Sequence, residues 1–386
     1  MANRLKTDWI LFGAVLAMLL FGVLILYSAS SIMANLDPRY GSSWYFVLRQ
    51  GGWAVVAIAI MMTLKRVSYQ KFQNPAVAFG AISVAILLLF AVYFLDASHH
   101  RWLRAPGALA FIGVQPSELA KPALVIFLAF FVTWRAPAIN NARYTLIPAA
   151  LAVGLVIWWV VMADLGTAVV LGISAVIVFF VAGLELRYVG IVAAVASVGV
   201  LISVWQQPYR LARVVKFFDP EFKITSRIDP NGRIKARLEH VLVTRDSNYQ
   251  LEQSKIAVGA GGPTGVGLMN GRQKLLYLPE AHTDFIYAVV GEETGLIGSL
   301  GLLAGFTIIF WRGLRATFRM RDDFGRYLAL GVTVVVVTQA FINMSVVLGM
   351  MPTKGIPLPL VSYGGSSLLS TLALLGMLMN VAEHAG

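Results

Sequence analysis

Few residues in this 386-residue chain are able to do chemistry, and most of them are carboxylates and lysines set in apolar sequence. Asp284 closes the string Leu278-Pro279-Glu280-Ala281-His282-Thr283-Asp284-Phe285, where a polar stretch gives way to an apolar run. A carboxylate at such a boundary loses water, its pKa rises, and it becomes a usable general base. The same position suits a helix cap or first turn, with Thr283 as an alternative cap. Glu118 and Lys121 lie three apart in Gln115-Pro116-Ser117-Glu118-Leu119-Ala120-Lys121. On a helix they share a face and pair, either bordering a cavity or simply following a proline at a helix start. Asp164, before Leu165-Gly166-Thr167, is a natural N-cap. Glu292 and Glu293 follow Asp284 by about two turns, so that one lines a cavity or both are structural. Lys354 lies in Pro352-Thr353-Lys354-Gly355-Ile356-Pro357-Leu358-Pro359, where three prolines exclude helix. That segment is either a rigid loop presenting Lys354 to an anion or a connector. His99, His100 and His282 show no ligand spacing that specifies a metal.

The elements that must position these residues are membrane helices. Charged residues make up 13% of the chain and apolar ones 58%, whereas soluble domains carry roughly 25% charge; the mean hydropathy is +0.75. Apolar runs near 9–30, 44–64, 75–95, 116–134, 145–162, 165–184, 187–206, 284–311, 326–350 and 366–382 are each about long enough to cross a ~30 Å hydrocarbon core. Only helices satisfy their backbone there. The fold expected is all-α and polytopic, about ten transmembrane helices in one domain over 1–386. The first run reads as a retained signal-anchor. The net charge of +12 reflects topology rather than nucleic-acid binding. Arg4, Lys6, Lys65, Arg66, Lys71, Arg135, Arg143, Arg187, Arg312, Arg315, Arg319, Arg321 and Arg326 fall in segments that become cytoplasmic if the N-terminus is inside, and fewer basic residues fall opposite. Both termini are then inside, and 96–115, 163–165, 207–283 and 351–365 share the outer face. With no cysteine in the chain, thiolate chemistry and disulfides are excluded.

The segment 207–283, between the seventh and eighth runs, is the one long polar stretch, expected as a large extracytoplasmic loop. From Tyr209 to Thr283 it holds 12 Lys and Arg against 7 Asp and Glu, which suits an anionic ligand at a membrane surface or an ordinary solvated loop. Asp229-Pro230-Asn231-Gly232 is a turn sequence. The alternation of Ile224, Ser226 and Ile228 before it and of Ile234, Ala236 and Leu238 after it predicts a short β-hairpin, with a helix over Arg233–Val243 as the alternative. Gly259, Gly261, Gly262, Gly265 and Gly267 lack the Lys-Ser/Thr of a P-loop and predict a flexible or re-entrant loop that approaches a ligand with its backbone.

Taken together, Arg101-Trp102-Leu103, Gln115–Lys121, Asp164-Leu165-Gly166-Thr167, Leu278–Phe285 with Gly291-Glu292-Glu293, and Pro352 through Ser367 resemble the SEDS family (shape, elongation, division and sporulation proteins). Tyr27-Ser28-Ala29-Ser30, Gln273-Lys274, Pro279–His282 and Thr353-Lys354-Gly355 are closer to its division branch, FtsW, than to its elongation branch, RodA. The resemblance implies a peptidoglycan glycosyltransferase that polymerises lipid II outside the bacterial cytoplasmic membrane, with Asp284 at the position of the family's essential aspartate. By analogy Asp284 deprotonates the GlcNAc 4-hydroxyl of one lipid-linked disaccharide, which attacks the MurNAc anomeric carbon of another and expels a polyprenyl diphosphate. Arg101, Lys121, Arg213, Lys274 and Lys354 are the cations expected near that leaving group. A divalent cation, Mg or Mn, is a further candidate for that role. Glu118, Asp164, His282 and Ser362 lie in the matched strings and are expected at the substrate site. The implied partner is a class B penicillin-binding protein, a single-pass transpeptidase, within the division or elongation machinery. Two departures stand out: Met162-Ala163 where the family often has Gln-Pro, and a segment from about Glu221 to Asp246 that is longer than expected.

Two other functions compete. A lipid II flippase would line its path with buried charges, but with polar groups facing inward as well as outward. A non-catalytic scaffold of the wall-synthesis machinery leaves the intramembrane charges unexplained.

Overall fold

The structure is a computed structural model that describes residues 7–96, 101–104, 113–219, 221–229, 238, 247–275, 277–352 and 355–385. Thirteen α-helices carry it among those residues. The long apolar ones are α1 (Trp9–Leu36), α2 (Tyr45–Arg66), α3 (Pro75–Leu95), α4 (Pro116–Arg135), α5 (Ile147–Ala163), α6 (Leu165–Val181) and α7 (Leu186–Gln206). The shorter α8 (Pro208–Phe218), α9 (Lys223–Ile228) and α10 (Ser247–Gly261) follow, then α11 (Ile286–Arg319), α12 (Asp323–Val347) and α13 (Gly365–His384). Nine of the described helices, α5 counted with the helical turn that leads into it from Ala142, are long and apolar enough to cross a membrane. The tenth apolar run is α6, whose 17 residues stand at the short end of the spanning range. All ten runs expected from hydropathy are therefore helices.

The bundle has a centre and a rim. In α12 and α13, 83% of the most apolar window is buried inside the protein, against 6% in α7. The central α12 packs on α4, α6, α11 and α13, and α13 lies along α2. The rim helix α7 touches α6 and α8, and it leaves Leu186, Val195, Leu201 and Trp205 at least two-thirds exposed. Such a surface is tolerated only against lipid. One end of the bundle is closed by charges: Asp8 pairs with Arg312 and Lys65 with Glu383. The Tyr69 hydroxyl donates to Asp322 there.

At the other end lie the turns that carry the candidate chemistry. Two short antiparallel strands, β1 (Leu103–Arg104) and β2 (Gly113–Val114), pair Leu103 with Val114 after α3. The expected hairpin around Ile224–Ile228 is corrected, because Lys223–Ile228 is helix. The Asp219 carboxylate accepts from Thr225 N and Oγ1 at 2.8 and 2.9 Å. Phe222 packs with Ala212 of α8 and with Leu238, so local capping and a small apolar cluster prevail over the period-two pattern. Most of Arg233–Val243, the site of the alternative helix, lies outside the described residues, as do His99, His100 and Lys354. The flexible reading of the glycine-rich segment is also corrected. Part of it belongs to α10, and at Gly261 and Gly265 a Cβ would lie 1.9 and 2.1 Å from the Gly291 and Glu293 carbonyl oxygens. These glycines let α10 and its following turn meet the backbone of α11.

Candidate active site

Asp284 is held by its main chain and left room at its side chain. Asn343, on α12, donates from Nδ2 to the Asp284 carbonyl at 2.8 Å and to the Ile356 carbonyl at 2.6 Å. Ser362 Oγ donates to the Thr283 carbonyl at 2.5 Å and accepts from Leu358 N at 2.8 Å. Tyr363 N donates to the His282 carbonyl at 3.0 Å, and Gln339 Nε2 to the Pro357 carbonyl at 2.8 Å. The 282–284 and 355–363 segments are thus locked together from α12. A Cβ on Gly355 would fall 2.3 Å from Asp284 Oδ2, so the carboxyl occupies space that only glycine leaves open.

Burial pushes the Asp284 carboxyl from its ordinary 3.8 up to about 6. Arg101 opposes the rise, Glu280 and Asp164 add to it, and Arg213 opposes it again. Three groups distant in sequence, Arg101, Asp164 and Arg213, and the neighbouring Glu280 therefore act on one carboxyl. Arg101 follows α3, where Asp96 accepts from Arg101 N and Trp102 N at 3.1 Å each. Its buried Nε has no hydrogen-bond partner among the described residues. Arg213 comes from α8, the helix that follows the rim helix. Asp164 caps α6 as expected, accepting from Gly166 N at 2.8 Å and Thr167 Oγ1 at 2.6 Å. The His282 ring sits 4.8 Å from that of Phe46 and 6.0 Å from that of Tyr363. Burial pushes its imidazole below the usual range, against Glu280.

The other predicted residues form two buried networks. Lys121 donates to Glu118 Oε2 at 2.7 Å and to Gln339 Oε1 at 2.6 Å, and Ser370 Oγ donates to the same Glu118 oxygen at 3.0 Å. The pair ties α4 to α12 and α13, and Gln339 carries the link on to the 355–363 segment. Lys274 donates to Glu293 Oε1 at 2.6 Å and to Ser28 Oγ at 2.7 Å, and is 3% exposed. Glu293 also accepts from Ser28 Oγ and from Met269 N. The resemblance places Lys274 near a leaving group; in the structure it is the counter-ion of Glu293. Glu292 accepts from Arg272 N at 2.7 Å and from Gln273 N at 3.2 and 3.3 Å. Both acids hold the 269–274 turn onto α11, so of the two readings of Glu292 and Glu293 the structural one applies.

Reading for charge overlooked Gln339, Asn343, Ser370 and Gly355. Gln339 and Asn343 stand four apart in the apolar α12 and so face one way, a signal as available as the spacing of Glu118 and Lys121. Among the described residues no three His, Cys, Asp or Glu side chains gather to hold a metal ion.

Apolar helices around buried ion pairs, with a carboxyl flanked by guanidinium groups at one end, define a multi-pass membrane protein with a polar site at that end. The family model described as "Cell cycle protein", of the FtsW, RodA and SpoVE type, matches residues 8–386, and the chain belongs to that family. It is 34% identical over 385 residues to a Geobacter sulfurreducens protein named "Probable peptidoglycan glycosyltransferase FtsW", covering 98% of this chain and 96% of the relative. It is 32% identical to the Bacillus subtilis stage V sporulation protein E, covering 99% of each. Among solved structures it resembles a chain from a study of a peptidoglycan synthase complex that coordinates polymerization and crosslinking, with TM-score 0.73, 27% identity and 98% coverage of both chains. It also resembles the Thermus thermophilus rod shape determining protein RodA, with TM-score 0.66, 25% identity and 98% coverage of both.

Proposed function

We propose that the chain is a peptidoglycan glycosyltransferase that polymerises lipid II at the outer face of the bacterial cytoplasmic membrane, with Asp284 as general base. The observation that carries this reading is a carboxyl carried on a loop that Asn343 and Ser362 clasp to the 355–363 segment, raised by burial to about 6 and within electrostatic reach of Arg101 and Arg213. A base so tuned is ionised at neutral pH yet more basic than an ordinary carboxylate. Asp284 takes the proton from the GlcNAc 4-hydroxyl of one substrate as that oxygen bonds to the MurNAc C1 of another. The bond from C1 to the phosphate oxygen breaks, and polyprenyl diphosphate leaves with the electron pair. Arg101 and Arg213 stabilise the charge that gathers on it. A lipid-borne substrate requires a site reached from the membrane, and a site at one end of a helical bundle meets that need. The relatives' names support the glycosyltransferase activity. The likeness to a chain of a peptidoglycan synthase complex supports a transpeptidase partner, a class B penicillin-binding protein.

The test is polymerisation of lipid II by the purified chain with its partner, wild type against Asp284→Asn. Glycan strands from the wild type and none from a folded variant are expected. A variant that polymerises like wild type would leave Asp284 a structural residue. An intact complex in which neither polymerises would move the flippase or scaffold reading ahead.

A further inference from the structure

Beside the candidate base, a wall of rings runs from the active loop out to the turn between α1 and α2. Tyr40, in that turn, lies 5.0 Å from Tyr45 and 4.8 Å from Phe46, which open α2. Phe46 is buried, 5.2 Å from Tyr45, and meets His282 at 4.8 Å and Tyr363 at 5.0 Å. His282 stands two residues before Asp284. The wall therefore begins within the loop that carries the base and ends in Tyr40 and Tyr45, which are only partly buried. Arg49, one turn along α2, donates from Nη1 to the Tyr45 hydroxyl at 2.9 Å. A cavity of about 380 Å³ opens there, lined by Ser42, Tyr45, Leu48 and Arg49.

Aromatic rings near a membrane surface are often anchors in the headgroup layer. Such anchors are independent of one another and of any site. These rings are instead in continuous contact, tilted or edge to face, through a buried phenylalanine into the active loop, and an arginine lies at their open end. An exposed ring with a polar tip offers an apolar face at low entropic cost. A pyranose offers the complement, a face of C–H bonds flanked by hydroxyl and amide groups. Arg49 supplies donors in a fork that fits a carboxylate.

We infer that Tyr40, Tyr45 and Arg49 form a saccharide subsite next to the reacting centre. The two tyrosine rings take the C–H face of an N-acetylated sugar, and Arg49 takes a carboxylate of the peptide stem on the neighbouring sugar. This inference rests on the polymerase reading above and adds where the strand already made, or the sugar about to be joined, is held.

The experiment uses the full chain in lipid nanodiscs and a probe without lipid or diphosphate: a tetrasaccharide of alternating GlcNAc and MurNAc bearing pentapeptide stems. Its dissociation constant is measured by calorimetry for wild type, Asp284→Asn, Tyr45→Phe, Arg49→Gln, and Tyr40→Leu combined with Tyr45→Leu. Wild type, Asp284→Asn and Tyr45→Phe are expected to agree within about threefold, and the double leucine variant to bind about tenfold more weakly. Its KM for lipid II should rise by a similar factor, with the midpoint of the pH profile unmoved. Should the double variant fail to fold, Arg49→Gln still decides. It should weaken binding of the stem-bearing probe about tenfold and leave binding of a stem-free N-acetylglucosamine tetramer within about twofold. A folded double variant that binds like wild type overturns the subsite, as does a wild type that polymerises lipid II yet ignores the probe, or Arg49→Gln binding both probes normally. Ring-dependent binding in a wild type that polymerises nothing would keep the saccharide site and remove the polymerase.

Discussion

At Asp284 the decisive quantity is the balance between burial, which favours the neutral acid, and two arginines, which favour the carboxylate. A general base must be ionised to act, so if Asp284 has the proposed role activity should rise with pH through about 6. Arg101 lowers the Asp284 pKa, so Arg101→Leu is expected to shift the midpoint of the profile upward as well as to slow turnover; a downward shift would contradict its placement. The raised folded-state pKa has a second sign. The neutral acid is the form the fold prefers, so its stabilising effect is present below about 3.8 and lost as pH rises through about 6. Asp284→Asn should therefore melt no lower than wild type at pH 7.5, with a gain bounded by about 3 kcal/mol. Gly355→Ala puts a methyl group where the carboxyl lies and is expected to cut activity at least about tenfold by moving the base, with little change in melting temperature. Asp284 was legible because an acid at the edge of an apolar run is conspicuous. Gly355 was not, since a residue that acts by leaving room gives no signal until its neighbour across the loop is known.

Among the elements, α11 is the one whose course depends on buried charge. It runs 34 residues, about 51 Å, and is broken at Gly295, whose φ of 65° and ψ of −158° lie outside the helix. Glu292 and Glu293 stand just before the break and hold the 269–274 turn. Glu293→Gln would leave the Lys274 ammonium buried without its counter-ion, a change that typically removes about 3–5 kcal/mol. Combining it with Lys274→Met should recover part of that loss. Chemical unfolding in detergent checks both, and strictly additive losses would mean that the two side chains are not coupled. Hydropathy made the ten apolar helices legible, since about 20 apolar residues leave little alternative. The alternation of Ile224, Ser226 and Ile228 misled on 223–228, where the Asp219 carboxylate just upstream and a three-residue apolar cluster fix a helix that no periodicity announces.

For the whole molecule, the uneven spread of Lys and Arg predicts that the Asp284 end faces outward. The chain has no cysteine, so one introduced thiol reports its own side. Arg39, in the turn between α1 and α2 at the Asp284 end, and Arg321, at the opposite end, are exposed. Arg39→Cys should react with an impermeant maleimide on spheroplasts, and Arg321→Cys only after lysis; the reverse pattern would invert the protein and remove the outward-facing site. The clustering of 101, 164, 213 and 284 followed from counting an even or odd number of crossings between them. The clasp that Asn343 makes between two outer segments did not, because hydrogen bonds between distant turns leave no trace in a hydropathy profile.

The rim helix α7 carries a consequence for inheritance. Its apolar window is almost wholly uncovered by protein, so selection sees its hydrophobicity and length but scarcely the shape of any one side chain. Leucine, isoleucine, valine and phenylalanine are nearly interchangeable there, and a lineage can rewrite the helix step by step without passing through an unfit intermediate. The α12 face that bears Gln339 and Asn343 has no such freedom, since each amide answers to partners on other segments. Random mutagenesis scored by survival should return α7 crowded with apolar replacements and those two positions unchanged.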